Sequence, residues 1–217
     1  RTGIELKSIY IEDKLNTIID DNSIKGTDRV SFATVYSGIT YSSALQKTVP
    51  LPKTSAGIFI SYSKGVFGSQ FDFTKTGIEI RHSLLENVLP KSNLTISLRA
   101  EKIFGNFPFY ESAMLGGSEY LRGYALNRFS GDALVAAKAD LDIYLFNTMI
   151  FLPADISLLL LSDAGRVFLN GETNSKMHYS LGGGLNLGYF KRMFNMQFYG
   201  AGSEEGAKFY ISALFSF

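Results

Sequence analysis

Apolar and polar residues alternate one by one from Leu134 to Phe146. Val135, Ala137, Ala139, Leu141, Ile143 and Leu145 fall on one parity; Lys138, Asp140, Asp142 and Tyr144 fall on the other. A period of two gives a strand one apolar face and one charged face. The same alternation runs through Leu94, Ile96, Leu98 and Ala100, through Tyr179, Leu181, Leu185, Leu187 and Tyr189, and through Phe194, Met196 and Phe198. The last segment sets Phe209, Ile211, Ala213, Phe215 and Phe217 against Tyr210, Ser212, Leu214 and Ser216. Near the start, "GIELKSIYI", "VSFATVYSGITY", "AGIFISYS" and "FDFTKTGIEIRHS" are compatible with strands.

These segments predict an all-β chain of about ten antiparallel strands, many of them at least nine residues long, as a tilted strand must be to cross a bilayer. Strands in soluble sandwiches are usually shorter. Connections are predicted to alternate: short at "YFKRM", "LFNTM" around Asn147, and "LLENVLPKS"; longer and more polar at "GAGSEEGAK", "VFLNGETNSKM" and "LNTIIDDNSIKGTD". Outer-membrane barrels alternate short turns with long external loops in this way. A soluble antiparallel barrel or sandwich gives the same alternation with its apolar face turned inward, so pattern alone leaves both open.

Composition excludes other classes. The most apolar run, "MIFLPADISLLLLSDAG", is broken by Pro153 and Asp155, short of the roughly 18 apolar residues a spanning helix needs. There is no cysteine among the 217 residues, so disulfides and thiolate metal sites are excluded. A net charge of +1 without a basic stripe gives no sign of nucleic-acid binding. The chain opens without a start methionine or an apolar leader, as a piece of a longer precursor would.

One stretch fits neither strands nor ordinary turns: "GGSEYLRGYALNRFSGD", Gly116 to Asp132, rich in glycine and in both signs of charge. Five alternating segments follow it, at about 132–146, 150–163, 176–190, 192–200 and 207–217. "LRGY", Leu121, Arg122, Gly123 and Tyr124, resembles the loop motif of the BamA/TamA surface-antigen superfamily of bacterial outer-membrane barrels, in which five strands also follow the loop. "LSDAG", with Asp163 and Gly165, resembles a second motif of that family. The likeness is firmest from about Ile80 to Phe217.

The resemblance implies the C-terminal part of a sixteen-stranded transmembrane barrel in the bacterial outer membrane. Its loop, about 105–131, would fold into the lumen, with Arg122 meeting Asp163 on the inner wall. A guanidinium–carboxylate pair can be bidentate and fixes orientation better than a lysine. Glu119, Arg128, Asp132, Asp140 and Asp142 are candidates for a supporting network. "KADLD" departs from the family's usual run at that place. Phe209, Ile211, Phe215 and the terminal Phe217 resemble the family's C-terminal assembly signal. Implied partners are outer-membrane lipid and lipopolysaccharide, client outer-membrane proteins, and periplasmic or accessory subunits; no nucleic acid and no cofactor are expected.

Chemistry-bearing arrangements are sparse. "GGGLNLG" lacks the Lys-Ser/Thr of a phosphate loop and lies in an alternating strand. His82 and His178 stand far apart in separate strands without further ligands at metal spacing. No nucleophile elbow is present, so an enzyme is not expected. Three functions stay open: outer-membrane protein insertion or polypeptide translocation, a barrel that anchors or exports an N-terminal lipase or phosphoesterase domain, and a passive diffusion pore.

Overall fold

The computed structural model describes residues 1–9, 30–43, 53–84, 91–171 and 176–215. Its strands are β1 (Thr2–Ile9), β2 (Val30–Ser42), β3 (Thr54–Gly65), β4 (Phe73–Leu84), β5 (Asn93–Gly105), β6 (Ala113–Leu115), β7 (Phe129–Gly131), β8 (Ala133–Ile150), β9 (Leu152–Phe168), β10 (His178–Tyr189), β11 (Phe194–Ser203) and β12 (Gly206–Phe215). Ten of them form one antiparallel sheet in the order β1-β2-β3-β4-β5-β8-β9-β10-β11-β12, each paired with its predecessor in the sheet; β6 and β7 form a separate small hairpin. Among the described residues no helix is long and apolar enough to cross a membrane.

Register decides which face is which. Ser97, Lys138, Asp163 and Ser180 lie in one cross-strand row, and all point to the same side. That side also carries Glu5, Lys75, Glu79, Arg99, Glu101, Asp140 and Asp142. The opposite side carries Ile4, Ile39, Ile60, Leu98, Leu181 and Phe209, all exposed; Ile4 and Ile39 are 80% exposed and Phe209 is 85%. Soluble proteins rarely leave so continuous an apolar face to water. The polar face is covered instead, by the chain between β5 and β8, which touches Lys7 of β1 and Tyr210 of β12. In a flat sheet these two strands would be about 40 Å apart, so the sheet curls with its polar face inside. This is the arrangement of a membrane barrel and the reverse of a lipocalin-like one.

Strand bounds depart from the alternation in two places. Asn147 is not in a turn: β8 continues to Ile150, and Phe151 alone, at φ 58, joins it to β9. A register shift between Tyr144 and Phe146 puts a bulge there and reverses parity, so Asn147 faces inward and bonds Asp155. "GAGSEEGAK" is not a long loop either, because β11 and β12 consume all of it except Glu204 and Glu205. The strict alternation of short and long connections therefore fails at the last hairpin. Phe217 and all of "LNTIIDDNSIKGTD" lie outside the described residues.

Candidate functional site: a loop held against the polar wall

Between Gly105 and Ala133 the chain leaves the sheet and returns, making a short helical turn at Phe109–Glu111 and then the β6–β7 hairpin. The tip of that hairpin carries Leu121, Arg122, Gly123 and Tyr124, all buried. Leu121 has φ 61, a backbone region that non-glycine residues seldom adopt. The Tyr124 N–H donates to the Leu121 carbonyl at 3.0 Å, closing a tight turn. The turn aims both the backbone N–H and the side chain of Arg122 at one acceptor.

That acceptor is Asp163. Its Oδ2 takes the Arg122 backbone N–H at 2.8 Å and Nε–H at 3.0 Å, and its Oδ1 takes Nη2–H. Ser180, the direct cross-strand partner of Asp163, donates its hydroxyl at 2.8 Å. Arg122 and Asp163 are each 3% exposed. Asp140 lies 2.7 Å from Nη2, and Lys138 lies 3.4 Å from Asp140, so two cations face two carboxylates. Burial works against the Arg122 charge, but the bond to Asp163 and the attraction of Asp140 and Asp163 outweigh it and raise the pKa above the ordinary arginine value. Hydrogen-bonded on this many sides, the pair escapes the usual cost of an ion pair in a dry site.

The residues around it make the approach possible. A Cβ on Gly123 would sit 2.8 Å from the backbone carbonyl of Gly202, so only glycine lets the loop lie this close to β11. The carbonyl of Gly123 accepts from Ser203 at 2.9 Å, and that of Arg122 accepts from the Tyr210 hydroxyl at 2.7 Å. A Cβ on Gly165 would meet Leu115 of the loop at 2.8 Å. Tyr124 packs edge-on against Phe129 at 5.1 Å and His178 at 5.6 Å, and Phe129 stacks on His178 at 3.9 Å. At its other end the loop is held by Glu111, which pairs with Lys7 and, at 3.5 Å, with Lys75.

No family model matches the chain, and no curated protein matches it in sequence. Among solved structures it matches the crystal structure of BamA from Haemophilus ducreyi lacking POTRA domains 1-3, with a TM-score of 0.63 at 17% identity. The fold is that of a BamA-type barrel. The match covers 87% of this chain and 44% of that one, so the chain spans less than half the length of that BamA structure.

On this BamA-type wall the remaining sequence candidates separate. Asp140 joins Arg122, as above. Asp142 belongs to another cluster toward the short-turn end, where its Oδ2 accepts from Arg192 at 2.6 Å and Asn186 at 2.8 Å. Glu119 and Arg128 are exposed, and Arg128 pairs with Glu205 at 2.9 Å rather than reaching inward. Asp132 accepts from the Asn170 N–H at 2.6 Å and so fastens the start of β8 to the chain beyond β9. These three therefore form no network with Arg122. Phe209, Ile211 and Phe215 line the outward face of β12. Ser180, Ser203, Tyr210 and Arg192 were not among the sequence candidates. A serine or tyrosine on an inward parity looks like any lumen residue until register pairs it.

Burial of the loop has a titration signature. Desolvation raises the phenols of Tyr110 and Tyr120 from 10 to about 12. In the unfolded chain these phenols ionise near 10, so the unfolded state sheds protons first as pH rises. Stability is then full below pH 10 and falls between 10 and 12. Ultraviolet titration of phenolate is expected to show a late-ionising class that shrinks in Tyr120→Phe. A titration in which every tyrosine ionises near pH 10 would contradict a desolvated loop.

Proposed function

We propose that this chain is the C-terminal portion of an outer-membrane barrel that inserts outer-membrane proteins or moves polypeptides across that membrane, and that the loop pinned by Arg122 controls the position of its last strand. The observation that carries the reading is the pair of bonds from the loop to the final hairpin: Tyr210 to the Arg122 carbonyl and Ser203 to the Gly123 carbonyl. Through them the state of the loop is coupled to β12, an edge of the sheet. An unpaired strand edge can add a strand from a client chain. The loop fills the lumen side between β1 and β12, which speaks against a passive pore. A barrel serving only to anchor an enzyme has no use for coupling between loop and edge.

A photo-crosslinking amino acid at Phe209 or Phe215 of the full-length protein, in vesicles supplied with an unfolded outer-membrane barrel, is expected to capture that client. Capture should fall in Arg122→Ala. Absence of client adducts together with a large, steady conductance in planar bilayers would establish the pore instead. Absence of adducts with hydrolase activity in the preceding domain would establish the anchor.

A further inference from the structure

Between the lumen loop and the part of the inward wall built by β1 to β5 lies a recess of about 580 Å³. It runs along β2 from Thr34 to Thr40 and along β3 from Ser63 back to Gly57, so its long axis follows the strands. Two aromatic rings form its floor. Tyr36 of β2 stands opposite Gly3 of β1, and Phe59 of β3 stands opposite Gly77 of β4. A Cβ on Gly3 would collide with the Tyr36 ring, and one on Gly77 would come within 2.5 Å of the Phe59 ring. Each ring therefore lies across the neighbouring strand, over the bare backbone of a glycine. Both stay open to the lumen: Tyr36 is 43% exposed and Phe59 36%. An apolar ring open on a wall of charges and hydroxyls offers its face to an occupant.

The polar groups round the rings show no excess of either charge. Lys7, Lys75 and Arg99 pair with Glu111 or Glu101. Arg1, Glu5 and Glu79 also line the recess and have no ion pair among the described residues. Cations and carboxylates are thus balanced, and Thr40 and Ser61 add hydroxyls. The backbone beneath is engaged in the β2–β3 and β3–β4 ladders. A polypeptide strand laid in the recess would therefore find no backbone partners for its own N–H and C=O groups.

We infer that this recess binds a neutral oligosaccharide of extended backbone, with successive sugar rings laid on Tyr36 and Phe59 and their hydroxyls bonded to Glu79, Ser61 and Arg99. The C–H face of a pyranose is apolar and weakly positive, and it fits the negative face of an aromatic ring. Each sugar hydroxyl both donates and accepts, which suits a wall that offers carboxylates, cations and hydroxyls together. Balanced charge gives neither a polyanion nor a polycation an advantage. Tyr36 and Phe59 occupy diagonal positions on neighbouring strands, about 7–8 Å apart, so the occupant must present apolar faces in series. The recess lies on the β1 side of the sheet and β12 on the other, so the inference goes beyond client capture and does not depend on it.

The test is isothermal titration calorimetry of the full-length protein, in a polyoxyethylene detergent so that no detergent sugar competes. Cellohexaose, spermine and an unstructured peptide of Gly, Ser and Tyr are titrated separately. Cellohexaose is expected to bind, and its Kd to rise about tenfold in Tyr36→Ala, in Phe59→Ala and in Gly57→Leu. A Cβ on Gly57 would come no nearer than 3.5 Å to its neighbours, so leucine there fills the recess without a clash and keeps the test sound if a ring truncation unfolds the chain. Tyr36→Phe keeps the ring and should bind within about twofold of the parent. Absence of heat from cellohexaose at millimolar concentration, or a Kd unchanged in Gly57→Leu, would overturn the assignment. Tighter binding of spermine or of the peptide, lost in the same variants, would overturn it in favour of a cation or a polypeptide. Protease protection after insertion into phosphatidylcholine vesicles, equal in variants and parent, separates a lost site from a lost fold.

Discussion

Arg122→Ala and Asp163→Ala are each expected to cost about 3–5 kcal/mol of stability in urea titrations of the vesicle-embedded protein, because each leaves a buried charge without its partner. The double variant should be no worse than either single one. In Arg122→Ala, Asp163 keeps only the Ser180 hydroxyl of its described side-chain partners. In Asp163→Ala, Arg122 keeps Asp140, so this variant should be the milder of the two. Arg122→Lys should recover little, since an ammonium cannot replace the fork that meets both carboxylate oxygens. Losses that simply add in the double variant would rule out direct coupling. Activity offers a second readout: client capture at β12 should fall in step with loop attachment, since Tyr210 bonds the backbone of Arg122 itself.

How much of this was legible beforehand depends on what each feature needs in order to be seen. Alternation alone locates strands wherever a regular pleat separates two environments, as in β8 from Leu134 to Ile143. It fails where the pleat breaks. The bulge after Tyr144 shifts Asn147 inward, and "FNT", polar enough to read as a turn, instead continues a strand whose turn is the single residue Phe151. The last hairpin fails for another reason. Gly200, Gly202 and Gly206 have the composition of a loop, yet Gly202 is a strand residue whose bare backbone takes the close approach of Gly123. Alternation also cannot say which face is outside. That came from the loop, which packs on the polar side and leaves the apolar side uncovered.

The site divides along similar lines. Arg122 and Asp163 were legible through motif likeness, while the loop's other charges misled. Glu119 and Arg128 share its sequence neighbourhood but are exposed, and Asp132 bonds the Asn170 N–H instead. Ser180 was invisible because its role exists only through register with Asp163, seventeen positions and a connection away in composition that gives no hint of it. The cluster at the short-turn end was hidden most completely. "YFKRM" reads as a solvated turn with two interchangeable cations, and the two turn out to differ entirely.

Arg192→Ala is therefore expected to be as damaging as loss of the loop pair, about 3–5 kcal/mol, while Lys191→Ala stays within about 0.5 kcal/mol of the parent. Lys191 is exposed at the turn. Arg192, at φ 67 and 2% exposed, turns back into the wall. Its guanidinium donates to the Lys91 carbonyl at 2.6 Å, to Asp142 at 2.6 Å and to Ser157 at 3.0 Å, and its own carbonyl accepts from Asn195 at 2.6 Å. Lys91 in turn pairs with Asp155 at 3.0 Å, which Asn147 also bonds. One side chain from the β10–β11 turn thus ties Lys91, two residues before β5, to β8 and β9. Its removal leaves Asp142 with only Asn186 among its described partners and releases the Lys91 carbonyl from a charge-assisted bond. Urea unfolding of the two alanine variants side by side is the measurement, with Arg192→Lys as a third. The lysine should recover only part of the loss, because one ammonium on a shorter reach cannot serve Lys91, Asp142 and Ser157 together. Equal midpoints for Arg192→Ala and Lys191→Ala would show that the cluster contributes no more than surface charge. A normal midpoint with failed membrane assembly would instead place its role in reaching the folded barrel, since strands closed at the short-turn end shorten the loops that remain to be ordered.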